Sequence, residues 1–141
     1  MSRPRTRTIE QRVIIPASPA QVYRALMDPK EHAKFTEDKA EGSGEVGEVL
    51  RAYGGYITAK NIELEIGKRI VQEWTTSEWP EGYPPSRLEI RLSKAKEGTE
   101  LTMVHSLVPE EQADDYAQGW KDHYWDKLQK YFMIKKGRKK P

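Results

Sequence analysis

Residues 109–134 read PEEQADDYAQGWKDHYWDKLQKYFMI, and the reading of this stretch decides the fold. After Pro109 it holds no proline. Tyr116, Trp120, Tyr124, Leu128 and Phe132 recur at i+4 spacing, and Ala113, Ala117, Trp125 and Tyr131 widen the stripe. That is the apolar face of an amphipathic helix. Glu110, Glu111, Asp114 and Asp115 sit near its start, and Lys127, Lys130, Lys135 and Lys136 near its end, complementing the helix dipole. Gly119 costs about 1 kcal/mol against alanine and predicts close packing or a slight kink. At about 1.5 Å per residue the helix spans roughly 40 Å, enough to cross a whole small domain. A helix so long needs an apolar surface to lie on.

The residues before it supply one. Ile9, Val13 and Ile15 alternate with polar neighbours over Thr8 to Ile15, predicting a half-buried strand that Pro16 ends. Ser18-Pro19-Ala20-Gln21 has the hydroxyl, proline and glutamine of a capping box, and Asp28-Pro29-Lys30-Glu31 repeats the device. Two short helices follow from this, the first with an apolar face of Val22, Tyr23, Leu26 and Met27, the second running to about Phe35. From Lys39 to Leu107 the pattern is strand and turn. Gly42, Gly44, Gly47 and Gly54-Gly55 punctuate it, and a slip in alternation near Asn61 predicts a bulge. Gly67-Lys68 forms a tight turn before a strand over Arg69–Thr76. Glu78 to Pro85 is too rich in proline for a central strand. Leu88, Ile90 and Leu92 alternate cleanly, Lys96-Glu97-Gly98-Thr99 reads as a hairpin turn, and Leu101, Met103, His105 and Leu107 share one strand face. Short connections of this kind build an antiparallel meander. The fold class is α+β, with a curved antiparallel sheet around the C-terminal helix.

The chain has 141 residues, the size of one domain, and no cysteine. Disulfides, thiolate metal sites and cysteine nucleophiles are thereby excluded, and a reducing, cytoplasmic setting is expected. No apolar run approaches the length of a membrane span, and no apolar stretch of the signal-peptide kind follows the basic start. Charge divides the chain in three: flexible basic ends at residues 1–7 and 135–141, and a single domain over 8–134. The ends hold Arg3, Arg5, Arg7, Lys135, Lys136, Arg138, Lys139 and Lys140; residues 8–134 carry 16 basic and 22 acidic residues. An acidic body lacks the basic stripe of a specific nucleic-acid binder.

The order strand, two short helices, meander and long helix resembles the helix-grip fold of the START and birch-pollen-allergen (SRPBCC) superfamily. Pro16-Ala17-Ser18-Pro19, Val22-Tyr23-Arg24-Ala25-Leu26 and Phe35-Thr36 resemble the opening of one family in it: the C-terminal domain of activators of the 90-kDa heat-shock chaperone's ATPase. Gly54-Gly55, Ile70-Val71-Gln72-Glu73-Trp74, Trp79-Pro80-Glu81-Gly82, Gly98-Thr99-Glu100-Leu101, Val108-Pro109 and Gly119-Trp120-Lys121-Asp122-His123-Tyr124-Trp125 continue the match. The resemblance implies a non-catalytic protein acting on a protein partner such as a chaperone, in the stress response. The activators' N-terminal half has no counterpart in this chain, and Gly47-Glu48-Val49 stands where relatives often carry paired glycines and an aromatic.

The fold also implies a space between sheet and helix, either a pocket for a small apolar ligand or lipid or a core filled by its own side chains. Candidate lining residues are Tyr23, Tyr56, Trp74, Leu88, Ile90, Leu92, Met103, His105, Trp120 and Tyr124. His105 reads as a hydrogen-bonded core histidine, with a general base of a cyclase- or hydrolase-like pocket enzyme as the alternative. His123 reads as a surface residue. His32, His105 and His123 lack metal-ligand spacing, so no metal is expected. No cofactor motif appears: there is no nucleophile elbow, P-loop or dinucleotide fingerprint. Trp79, with Tyr83 in the same proline-rich loop, is the candidate for a protein contact, provided that it projects instead of folding back over the sheet edge.

Overall fold

The computed structural model describes residues 5–138. Its elements are β1 (Thr6–Ile15), α1 (Pro19–Met27), α2 (Pro29–Thr36), β2 (Glu41–Gly42), β3 (Val49–Ala52), β4 (Ile57–Glu65), β5 (Arg69–Thr76), β6 (Ser86–Ala95), β7 (Gly98–Pro109), α3 (Glu110–Trp120) and α4 (Asp126–Arg138). A single-turn 3-10 segment, Tyr53–Gly55, joins β3 to β4, and a π turn, Lys121–Trp125, joins α3 to α4 without a break. The seven strands form one antiparallel sheet in the order β1-β7-β6-β5-β4-β3-β2. The last strand made thus pairs with the first, and the long helix returns across the sheet to touch β1 and α2. This is the helix-grip fold.

Local chemistry explains each boundary. The Ser18 hydroxyl accepts from the Gln21 amide (3.2 Å) while the Gln21 side chain accepts from the Ser18 amide (2.9 Å), closing the capping box. Asp28 caps α2 through the Lys30 amide. The bulge falls where the alternation slips, between Asn61 and Glu63. At the β6–β7 hairpin, Ala95 pairs with Gly98, whose positive φ (141°) and close approach to the Ile15 carbonyl leave no room for a side chain.

Three details depart from the pattern in the sequence. The first strand starts two residues before Thr8, and the final helix continues past Ile134 to Arg138. Among the basic residues of the ends, Arg3, Lys139 and Lys140 lie outside the described residues. Leu107 does not share the face of Leu101, Met103 and His105: its φ is 61° and it is 47% exposed. The cause is a register shift between Arg7 and Ile9 on β1, opposite which β7 carries an extra residue. Such a bulge turns the following side chain to the other face.

The core lies between the sheet and the continuous α3–α4 helix. Its largest wholly buried members include Ile15, Ile70, Leu88, Leu101, Met103 and Leu128. No helix among the described residues is long and apolar enough to cross a membrane.

Candidate functional site

Two histidines fasten the long helix to the rest of the domain. Trp120 Nε1 donates to His105 Nδ1 (3.1 Å). An indole N–H can only donate, so the ring proton of His105 sits on Nε2 and is given to Ser86 Oγ (2.8 Å). Ser86 in turn donates to the Trp74 carbonyl (2.7 Å). One turn along, the Tyr124 hydroxyl lies 2.9 Å from His32 Nε2, and His32 Nδ1 lies 3.0 Å from the Leu26 carbonyl. A carbonyl can only accept, so His32 carries its proton on Nδ1 and receives the tyrosine proton. The two rings are held in opposite tautomers. Burial pushes the pKa of His105 down from 6.5 to about 3, and lowers that of His32 against the opposing effect of its bond to Leu26. His105 is fully buried with both nitrogens occupied. It is a link in the core and offers no free base to a substrate.

The sheet–helix interface is mostly filled by side chains. Deep in it lies a void of about 30 Å³, bordered by Leu88, Ile90, Trp74, Trp120 and Tyr124 among others, which is room for roughly one water molecule. A larger cavity, about 280 Å³, opens beside the middle of the long helix, where the 3-10 segment, the start of β4 and the end of β5 face the junction of α3 and the π turn. It is lined by Tyr53, Tyr56, Ile57, Trp74, Tyr116, Gly119, Trp120, His123 and Tyr124. Of the residues read from sequence as lining, Tyr56, Trp74, Trp120 and Tyr124 border this cavity. Leu88 and Ile90 face only the inner void. Tyr23, Leu92, Met103 and His105 border neither and are core. Tyr53, Ile57, Tyr116, Gly119 and His123 are additions. His123 is exposed, as read, yet its exposed ring forms part of the rim.

The rings of the cavity are set at angles to one another. Trp74 meets Tyr116 edge-on (5.2 Å, 83°), Tyr53 meets Tyr124 edge-on (5.8 Å, 76°), and Trp120 lies tilted on Tyr124 (4.8 Å, 47°). Outside the cavity, Trp125 stacks on Trp120 (5.2 Å, 13°) and donates to Gln11 (2.7 Å), fixing that wall from behind. Tyr53 closes one end by donating its hydroxyl to the His123 carbonyl in the π turn (2.5 Å). Single π turns in helices recur at functional sites, because the extra residue re-aims the side chains around them. At the other end Tyr56 donates to the Glu78 carboxylate (2.7 Å), and Tyr116 accepts from Thr76 and donates to Gln112. Desolvation pushes the hydroxyl pKa values of Tyr53, Tyr56, Tyr116 and Tyr124 upward, so all four stay protonated.

Trp79 does not project. It is half-buried, stacked over Tyr116 (6.1 Å, 21°) and edge-on to Trp74 (6.1 Å, 73°), with its N–H given to the Pro84 carbonyl. It braces the cavity's outer wall. Tyr83 stays partly exposed in the loop.

A seven-stranded antiparallel sheet gripping a long helix, with an aromatic cavity between them, defines a helix-grip protein of the START and birch-pollen-allergen type. The family model of "Activator of Hsp90 ATPase homolog 1-like protein" matches residues 16–133, and the chain belongs to that family. A curated relative from Dictyostelium discoideum, an activator of 90 kDa heat shock protein ATPase homolog, is 27% identical over 92% of this chain and 34% of its own length. The human homolog 1 is 26% identical over 82% of this chain, again 34% of its own length. The chain thus spans about a third of the length of these relatives. Among solved structures, an HSP90 activator from Plasmodium falciparum superposes with a TM-score of 0.78 at 18% identity, covering 90% of this chain and 95% of that one. At that identity the likeness concerns the fold. CalU16 from Micromonospora echinospora superposes at 0.70 with 26% identity, covering 92% and 74%.

Proposed function

We propose that the protein is a non-catalytic binding protein that receives a small, largely apolar molecule in the cavity around Gly119. The observation that carries this is the cavity itself: about 280 Å³, walled by aromatic rings, near the lower end of the range for ligand sites. His105, the candidate base, is withdrawn from it. Gly119 provides the test. A Cβ at this position has room, its nearest contact being His123 Cδ2 at 3.9 Å, and a longer side chain would occupy the cavity. Leucine also favours a helix over glycine by about 1 kcal/mol, so Gly119→Leu should fill the site without loss of stability. Native mass spectrometry of the purified protein should show a small adduct that is released on denaturation and missing from Gly119→Leu. Bare masses for both proteins, with no rise in melting temperature on adding 1 mM indole to either, would overturn the reading.

Family membership favours a second reading, contact with a protein partner such as a 90-kDa heat-shock chaperone in the cytoplasm. Since Trp79 is a brace of the cavity wall, Trp79→Ala would disturb both site and stability; Tyr83→Ala probes the loop more cleanly. Titration of a purified 90-kDa chaperone should give saturable binding that weakens at least tenfold in Tyr83→Ala, with the melting temperature held within about 1 °C. No binding at 100 μM chaperone would sink this reading.

A further inference from the structure

The cavity's walls and rim together specify a charge for its occupant. The faces of Tyr and Trp rings carry negative electrostatic potential and attract cations, and Tyr53, Tyr56, Trp74, Tyr116, Trp120 and Tyr124 all border the space. No lysine or arginine is among its described lining residues. Carboxylates stand at the rim instead. Glu78 is bound directly to the Tyr56 hydroxyl at 2.7 Å, and its charge also reaches Tyr116. Asp38 acts on Tyr53, and Asp115 on Tyr116, each opposing loss of the phenolic proton. Negative potential therefore comes from two sources, the aromatic rings that border the cavity and the carboxylates near it. A neutral apolar ligand would have no use for either. An anion would be repelled by both, and would find no lysine or arginine among the described lining residues.

We propose that the cavity binds an organic cation whose charge is spread over an apolar surface, of the quaternary ammonium class. This rests on the ligand-binding reading above and narrows it. A primary ammonium would need hydrogen-bond acceptors inside the cavity to replace its hydration. A trialkylated nitrogen needs only contact with aromatic rings, and the walls are built largely of them. Glu78, already turned toward the rim by Tyr56, balances the charge from outside without having to be buried.

The test compares two probes of the same shape, phenyltrimethylammonium and tert-butylbenzene, followed by nitrogen–proton NMR at the Trp74 and Trp120 indoles and the Gly119 amide. The cation is expected to bind at least tenfold more tightly than the hydrocarbon. Glu78→Gln, which keeps a side-chain oxygen to accept from Tyr56, should weaken the cation at least threefold and leave the hydrocarbon unchanged. Gly119→Leu should abolish both. Equal or tighter binding of tert-butylbenzene, still blocked by Gly119→Leu, would overturn the cationic assignment and leave the apolar-ligand reading standing. Cation binding that survives Gly119→Leu would place it elsewhere and overturn the proposal. Failure of both probes at millimolar concentration would remove this proposal together with the reading on which it rests.

Discussion

Lowering the pH from 7 to 5 is expected to cost the fold about 2 kcal/mol through His105 alone. The imidazole has a pKa of about 3 in the folded protein and 6.5 ordinarily. Between those values the unfolded chain binds a proton that the folded chain refuses. Stability is therefore complete above pH 6.5, falls as the pH drops below it, and levels off near pH 3, where the total loss reaches roughly 5 kcal/mol. His32 acts in the same direction. The structural reason is common to both: protonation would remove the lone pair that accepts from Trp120 or Tyr124, and would bury a charge among aromatic rings. Among the described residues the hydrogen-bond partners of His105 are Ser86 and Trp120, and neither is a carboxylate that would offset that charge. The surface carboxylate Glu89 is held down to about 2 by Arg69, with Arg87 and Arg91 adding to it, and its loss begins only below the ordinary 4.5. The interval from pH 7 to 5 thus isolates the histidines. Urea unfolding at both values should show the drop, and His105→Gln should remove about 2 kcal/mol of it even if its stability at pH 7 is lower. Identical pH dependence in His105→Gln and the parent protein would refute the assignment.

The sequence makes legible whatever depends on a repeat or a local cap. The capping box at Ser18, the second cap at Asp28, the bulge after Asn61 and the strand faces through Ile90 and Met103 all follow from residue order. What periodicity gives is the face of a residue, not its depth under the helix. Leu92, Met103 and Trp74 all point inward, yet only Trp74 reaches the cavity, because that depends on where the helix crosses the sheet. Tyr53 escaped for another reason. It opens a 3-10 segment with positive φ at Tyr53 and Gly54, where no period exists to read. The π turn did leave a trace. Five apolar residues at strict i+4 spacing drift by about 40° per step in an ordinary α-helix, so the last should face away from the first. All five are nevertheless buried. A run of i+4 steps with no i+3 among them requires a locally underwound helix, and the π turn Lys121–Trp125 supplies it. Leu107 shows the converse: a side chain that satisfies alternation is turned out by a bulge set by its partner strand.

Trp120 is the residue at which fold and site meet, and Trp120→Ala is expected to lower stability by about 4–5 kcal/mol, a large part of what a domain of this size possesses. Two losses combine. The indole is 5% exposed and touches Trp74, Tyr124, Trp125 and His105, so its removal leaves a cavity that rings fixed from several sides cannot close. It also orphans His105 Nδ1, a fully buried acceptor with no other partner among the described residues, and an unmet group of that kind costs about 1–3 kcal/mol. Trp120→Phe reduces the first loss and keeps the second, since a six-membered ring remains but the donor goes; it should cost about 1–3 kcal/mol for the orphaned acceptor and less than Trp120→Ala in all. Met133, on the same helix but 63% exposed, is the control, and its change to alanine should stay within about 0.5 kcal/mol. Urea denaturation of the three variants would check the order, and a Trp120→Ala loss no larger than that of Met133→Ala would show that the helix is not held where the structure places it. The consequence for the site runs opposite to that of Gly119→Leu. Trp120 borders both the inner void and the outer cavity, so deleting it joins the two and enlarges the space, whereas leucine at 119 fills it. A ligand that loses affinity in both variants is therefore one that needs the cavity's ring faces as well as its volume.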